Sequence, residues 1–192
     1  MNVLIINGHP DTESYNKALA DAYYEGVLTN VDVNTTLIEV GALEFNLNLK
    51  YGYRRRMELE PDLEFAIKEI KKANHIVWVL PLWWGGMPAV LKGFLDRILL
   101  PGIAFELEEG KTFQKKLFKN KTSSIILTAD TPKWYYRLFL KSALLYQFKK
   151  GILEFCGIKL KKTTYIAPIR NSTLTFRENW LKKIKMLGKQ LT

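Results

Sequence analysis

Sulfur and imidazole are scarce: the 192 residues hold one cysteine, Cys156, and two histidines, His9 and His75. A lone thiol excludes an internal disulfide and a zinc site of clustered cysteines, and it makes a reducing cytoplasm the expected home. Nothing resembles a metal site, a Ser-His-Asp triad or the paired carboxylates of a glycosidase, so no metal is expected. Long apolar runs are missing too. The uncharged stretch over residues 75–91 is broken by Pro81, Gly85, Gly86 and Pro88 and does not read as a membrane span. The first eight residues lack the basic start and long apolar core of a signal peptide. Repeats and low-complexity linkers are absent as well, and residues 1–192 read as one domain.

Charge, in contrast, is plentiful and uneven. The chain carries a formal +10, but residues 1–100 sum to −3 and residues 101–192 to +13. Such an asymmetry points to an anionic partner, whether a phosphate-bearing cofactor, an acidic membrane surface or a nucleic acid, or else to a solvated basic surface. The basic run at 159–162 has no aromatic between the charges and the run at 115–121 has only Phe118, too few stacking rings to favour nucleic acid.

Short β-rich runs alternate with helical stretches along the whole chain. Strands are expected at 2–7, 34–40, 75–80, 123–128 and 163–167. Helices are expected at 16–28, 61–73, 88–99, 132–151 and 174–188. In the first helix, Leu19, Ala22, Tyr23 and Gly26 share a face. The second opens on Pro61 with Asp62 and Glu64 in its first turn, and has Lys68, Lys71 and Lys72 toward its end. The connection 41–60 is long for a compact domain, which favours a functional role. A possible extended excursion runs from the Pro101-Gly102 break through Glu109. Thr131 is able to cap the fourth helix, which is apolar around most of its circumference and therefore belongs in the core or, as we favour, in a dimer contact. Five strands joined by right-handed crossovers form a doubly wound parallel sheet, in either of two common orders. Ligands bind such sheets beyond the carboxyl ends of the strands.

The loop after the first strand, Asn7-Gly8-His9-Pro10-Asp11-Thr12-Glu13-Ser14-Tyr15-Asn16, is neither a dinucleotide fingerprint nor a Walker loop. It offers an imidazole, hydroxyls and helix-start N–H groups, which suit a phosphate; alternatively Ser14 or Asn16 simply caps the helix. The loop after the third strand puts Trp83 and Trp84 directly ahead of Gly85 and Gly86. Either the indoles plug the core beneath the next helix, or a planar ring covers them, with glycine N–H groups meeting its polar edge.

Pro81-Leu82-Trp83-Trp84 with Pro88-Ala89-x-Leu91-Lys92-Gly93-x-x-Asp96-Arg97 resembles the signature of the flavodoxin-like NAD(P)H:quinone oxidoreductases. This is the DT-diaphorase-like family, which includes ancillary proteins of bacterial potassium-efflux systems. The 8–16 loop and Gly151-Ile152-Leu153-x-Phe155-Cys156-Gly157 are similar to it as well. The resemblance implies an α/β flavodoxin-like fold: a doubly wound five-stranded parallel sheet of order 2-1-3-4-5 with helices on both faces. It also implies a homodimer and a non-covalent flavin, FAD slightly favoured over FMN. That flavin would take hydride from NAD(P)H and pass two electrons to a quinone by a ping-pong route. By position, His9, Ser14, Tyr15 and Asn16 would hold the flavin phosphate or pyrophosphate. Pro81, Leu82, Trp83, Trp84 and Gly85 would lie along the isoalloxazine, and Thr128 would start the third flavin loop. Arg177 falls near the adenosine end contacted in FAD-binding members. An alternative within the family is a flavin- or nucleotide-sensing regulator of a membrane ion transporter.

The loop after the fourth strand departs from the family, reading Thr128-Ala129-Asp130-Thr131 where two threonines and two glycines are common. A carboxylate would oppose the negative charge of reduced flavin, so Asp130 is expected to point away, capping the fourth helix, or else to be offset by Lys133. Without the family's histidine, Tyr135 or Tyr136 is the candidate proton donor to a quinone oxygen. Arg54, Arg55 and Arg56 read as a solvated loop that could also reach a phosphate. A peripheral membrane contact would use part of the excess positive charge.

Overall fold

The computed structural model describes residues 1–108, 110 and 112–191. Five parallel strands form the central sheet: β1 (Asn2–Asn7), β2 (Asn34–Glu39), β3 (His75–Pro81), β6 (Thr122–Thr128) and β7 (Lys159–Ile166). Their order is β2-β1-β3-β6-β7. The sheet is the doubly wound one expected, with the small antiparallel pair β4 (Phe105–Glu106) and β5 (Lys115–Lys116) inserted between β3 and β6. Its first strand falls within the extended excursion expected after Pro101-Gly102, whose end at Glu109 lies outside the described residues.

Alternation of side chains divides the interior in two. Val3, Ile5, Val77, Val79, Ile126 and Ile166 meet α1 (Tyr15–Val27) and α7 (Leu174–Gln190) on one face. Leu4, Ile6, Ile76, Trp78, Leu80, Ile125 and Leu127 meet α2 (Pro61–Lys72) and α3 (Ala89–Ile98) on the other. The buried side of α1 includes Leu19, Ala22, Tyr23 and Gly26, as the spacing predicts. The α1 and α7 backbones touch where a Cβ on Gly26 would fall 2.0 Å from the Lys185 carbonyl oxygen, so only glycine fits there.

Three expectations are corrected. The helix expected over 132–151 is broken. α4 (Lys133–Leu138) stops at a reversal in which Lys141 and Ser142 both adopt positive φ, of 47° and 52°. α5 (Ala143–Tyr146) then leads into a π-helical turn (Gln147–Leu153) and α6 (Glu154–Cys156). The wider π turn buries Phe148 and Leu153, five residues apart, against the same core. Thr131 does not cap α4, which has Pro132 at its N-cap position and no side-chain cap. The last strand starts at Lys159 rather than 163. It lies on the sheet edge, where lysines on the open side are well tolerated.

Arg97 ties the long connection 41–60 to α3, with Asp62 accepting from the Glu44 N–H at 2.7 Å beside it. Arg97 is fully buried and donates to the Asn46 carbonyl at 2.6 Å, the Glu58 carbonyl at 2.8 Å and the Glu60 carboxylate at 2.7 Å. Burial alone would raise the Glu60 pKa, but the bonds from Arg97 and from the Asn46 N–H outweigh it and hold the carboxyl below its ordinary range.

Candidate active site

Four connections leave the carboxyl ends of β1, β3, β6 and β7 and lock onto one another. Gly8 N–H donates to the Val79 carbonyl, Leu82 N–H to Thr128 and Ala129 N–H to Ile166, at 2.8, 2.8 and 3.0 Å. The site is therefore a rigid rim around the sheet's carboxyl edge.

In the first loop, Asn7 Oδ1 accepts from the His9 N–H and His9 Nδ1 accepts from the Asp11 N–H at 3.0 Å. Nδ1 also lies 3.2 Å from the Asp11 carbonyl oxygen, so this side of the ring is held against the loop. The imidazole stands edge-on to Trp83, with ring centroids 5.3 Å apart. Ser14 caps α1, its hydroxyl accepting from the Lys17 N–H at 3.2 Å. Asn16 is buried; its Oδ1 accepts from the Thr128 hydroxyl at 2.9 Å, while its Nδ2 finds no partner among the described residues. The same is true of Asn7 Nδ2. A buried donor without an acceptor costs about 1–3 kcal/mol. Trp78 and Ser124 in the sheet interior also leave polar atoms unpaired, so position carries the argument. The two asparagine donors lie on the ligand edge of an open α/β sheet.

The second loop is a tight turn. Trp83 and Gly86 exchange both backbone hydrogen bonds, and the central residues Trp84 and Gly85 have φ of 51° and 74°. Positive φ at both positions defines a type I′ turn, which glycine adopts freely and tryptophan resists. Trp84 stands fully exposed at 106% and Trp83 at 43%, so neither plugs the core. Pro81 is buried at the end of β3, and Leu82 is half-buried.

In the third loop, Asp130 turns toward the connection after β7 and not toward α4. Its Oδ1 accepts from the Arg170 N–H at 2.6 Å and the Ile169 N–H at 3.2 Å, fixing the connection after β7. Its negative charge is spent there, with Arg170 Nε 3.5 Å from the other oxygen. Of the two phenols, Tyr136 is 2% exposed, stacks on Tyr165 and accepts from the Leu145 N–H; burial pushes its pKa up. The proton-donor role offered to Tyr136 is therefore closed to it, and Tyr135, 41% exposed, faces outward.

Tyr15 and Arg177 brace the helices instead of reaching outward. The Tyr15 hydroxyl donates to the Arg177 carbonyl at 2.8 Å, and burial, opposed by the nearby guanidinium, raises its pKa to about 12. Arg177 donates to Ser172 Oγ at 2.8 Å and to the Ile169 carbonyl at 3.1 Å. With those donors engaged inside the chain, it offers little to an adenosine end, and the preference for FAD has no support in its geometry. Sequence reasoning places Asn7 at the start of the first loop but assigns it no role, because nothing in the sequence shows that its amide is left unpaired. A groove of about 560 Å³ lies elsewhere, on the outer side of α3, lined by Leu95, Leu99, Phe105, Leu107, Ile152 and Phe155 among others.

A family model described as flavodoxin-like fold matches residues 1–185. An uncharacterized NAD(P)H oxidoreductase of Haemophilus influenzae is 31% identical over 164 residues, spanning 83% of this chain and 80% of its own. Human ribosyldihydronicotinamide dehydrogenase (quinone) is 25% identical over 182 residues, spanning 82% of this chain and 78% of its own. An FMN-dependent NADH-azoreductase from Bacillus anthracis, solved in complex with FMN, superposes with a TM-score of 0.76 at 20% identity, over 100% of this chain and 99% of that one. At that identity the likeness is one of fold. Signature residues, strand order and sequence relatives agree, and the chain belongs to the flavodoxin-like NAD(P)H:quinone oxidoreductase family.

Proposed function

We propose that this chain is a flavoenzyme that oxidises NAD(P)H and delivers two electrons to a quinone or a similar flat acceptor, with FMN as the bound flavin. One observation carries the reading. Two buried, unpaired amide donors, Asn7 Nδ2 and Asn16 Nδ2, lie on the same rim as two exposed indoles held on a strained turn. These features suit a ligand that is flat, apolar across its faces and rich in acceptors at its edges. The residues fit a flavin: His9, Ser14, Asn16 and the start of α1 for the phosphate, Pro81–Gly85 for the ring, Thr128 for its polar edge. FMN is preferred because the Arg177 donors are committed to Ser172 and Ile169, and because the azoreductase with the same fold is solved with FMN.

When bound, the flavin supplies a two-electron relay between nicotinamide and acceptor. The chain does the rest. Trp83 and Trp84 form an apolar wall that excludes water from one side of the rim. Asp130, tied to the Ile169 and Arg170 N–H groups, keeps its charge off the ring's polar edge. Tyr135 presents a phenol from which a developing quinol oxygen takes a proton. Donor and acceptor use the same wall in turn, which makes the kinetics ping-pong. The cytoplasm and a homodimer complete the reading, the α3 groove being the face offered to a second copy.

The test is the visible spectrum of the purified protein, together with NADH and NADPH oxidation in the presence of a soluble quinone. Bound flavin and turnover of about 1 per second or more are expected. Asn16→Leu should weaken flavin binding by about tenfold or more, the worth of one hydrogen bond made by a buried donor. A protein that binds neither FMN nor FAD on reconstitution would sink the reading. Bound flavin with turnover under about 0.1 per second would favour the transporter-regulator alternative.

A further inference from the structure

Residues 131–153 contain five cations, Lys133, Arg137, Lys141, Lys149 and Lys150, and no carboxylate side chain. The same stretch exposes aromatic surface. On α4, Trp134 is 60% exposed and Phe139, just past its end, is 64% exposed; Leu138 and Tyr146 are exposed as well. Tyr135 and Phe139 stack with centroids 4.8 Å apart, and Trp134 stands edge-on to both. In water such a cluster leaves its apolar area uncovered. Beside it, a groove of about 410 Å³ between α5 and the edge strand β7 is lined by Lys141, Tyr146, Lys149, Lys161 and Lys162. Lys149 lies 3.9 Å from Glu154; Lys141, Lys161 and Lys162 make no ion pair among the described residues.

We propose that this face seats the protein on an anionic membrane surface. The Trp134, Leu138 and Phe139 side chains enter the boundary between headgroups and acyl chains, and the lysine groove takes a lipid phosphate. Charge chooses the occupant. A second copy would set cation against cation across this face, whereas an acidic leaflet is complementary to it. Aromatic rings flanked by Lys and Arg are the composition that membrane interfaces select. The proposal rests on the quinone-reductase reading: α4 follows directly from the β6 loop of the rim, so docking would bring the acceptor site to the layer where apolar quinones dissolve.

The test is sedimentation of the purified protein with vesicles of phosphatidylcholine alone and with about 30 mol % phosphatidylglycerol. Binding is expected to the acidic vesicles and not to the neutral ones, and it should fall with salt. Lys141→Gln and Lys149→Gln should each weaken it about fivefold. Phe139→Ser should weaken it about tenfold, the worth of roughly half a buried ring. The two lysines lie away from the rim, so flavin content and turnover with a soluble quinone should hold in Lys141→Gln and Lys149→Gln; Phe139 stacks on Tyr135, so its variant is read by vesicle binding alone. Failure to bind acidic vesicles, equal binding to both kinds, or indifference to the substitutions overturns the proposal. So does Phe139→Ser splitting a dimer without changing vesicle affinity. Vesicle binding is read without flavin or turnover, so an inactive but lipid-binding protein would defeat the enzymatic reading alone.

Discussion

The two edges of the sheet are built to opposite ends. At the amino edge, side chains stitch neighbouring segments together. Asn74 Oδ1 accepts from the Asn2 N–H at 2.8 Å, Asn2 donates to the Lys72 carbonyl, and Lys121 Nζ donates to the carbonyls of Lys71 and Ala73 at 2.8 and 2.7 Å. His75 Nδ1 meets Thr122 Oγ1 at 2.8 Å. The carboxyl edge is just as firmly linked through its backbone, yet it exposes two indoles, holds a tryptophan at positive φ and leaves two amide donors unpaired. Side-chain bonds between segments mark the amino edge, whereas the carboxyl edge combines a strained turn and exposed rings with two of the chain's unpaired donors, where a ligand would meet them.

Arg97 is the strongest place to break this division, because it sits in the last turn of α3, away from the rim. Arg97→Met strips a buried guanidinium from the Glu60 carboxylate and from two carbonyls. Breaking a buried ion pair from one side costs about 3–5 kcal/mol. Urea unfolding should register that loss, while flavin affinity of the folded protein stays within about twofold, a few tenths of a kcal/mol. A variant that keeps its stability but loses flavin would show that the long connection serves the site directly.

A second contrast is acid sensitivity. Burial, with Lys161 nearby, lowers the His75 pKa from 6.5 to about 4. The unfolded chain then binds the proton more readily than the folded one. Stability from the neutral imidazole is complete above pH 6.5 and drains away as the pH falls toward 4. The shift is worth about 3 kcal/mol. Unfolding free energies at about pH 7 and pH 4 should therefore differ by that much more in the parent protein than in His75→Gln. Equal differences would mean that His75 titrates freely.

Much of this division was legible in the sequence. The Val, Leu and Ile runs of β1 and β3 read as buried central strands, and the Trp83-Trp84-Gly85-Gly86 loop offers either indoles plugged into the core or rings left for a ligand, a choice that their exposure decides. Long-range pairing was not legible. Arg97 reads as an ordinary helical cation until the chain brings Glu60 against it from 37 residues away. The break at Lys141-Ser142 carries no glycine or proline to announce it. Asp130 looked like a helix cap because its acceptors' true donors, the Ile169 and Arg170 N–H groups, come from the far side of β7. Tyr135 and Tyr136 are equivalent in sequence; the helix alone decides which one faces water.

Trp84 tests the same division on its smallest scale. A bulky side chain at φ 51° pays for a left-handed backbone, and a fully exposed ring returns no packing energy within the chain. Trp84→Asn puts in its place a residue that tolerates this conformation and that adds little disorder to the unfolded chain. The variant should be more stable by about 0.5–1 kcal/mol, a rise of a few degrees in Tm. Its turnover with a soluble quinone should fall, because the wall over the acceptor has lost a ring. Gain and loss in one substitution would show that the strained turn is kept for binding. If stability drops instead, Trp84 contributes to the fold, and the contrast between the two edges is weaker than the geometry implies.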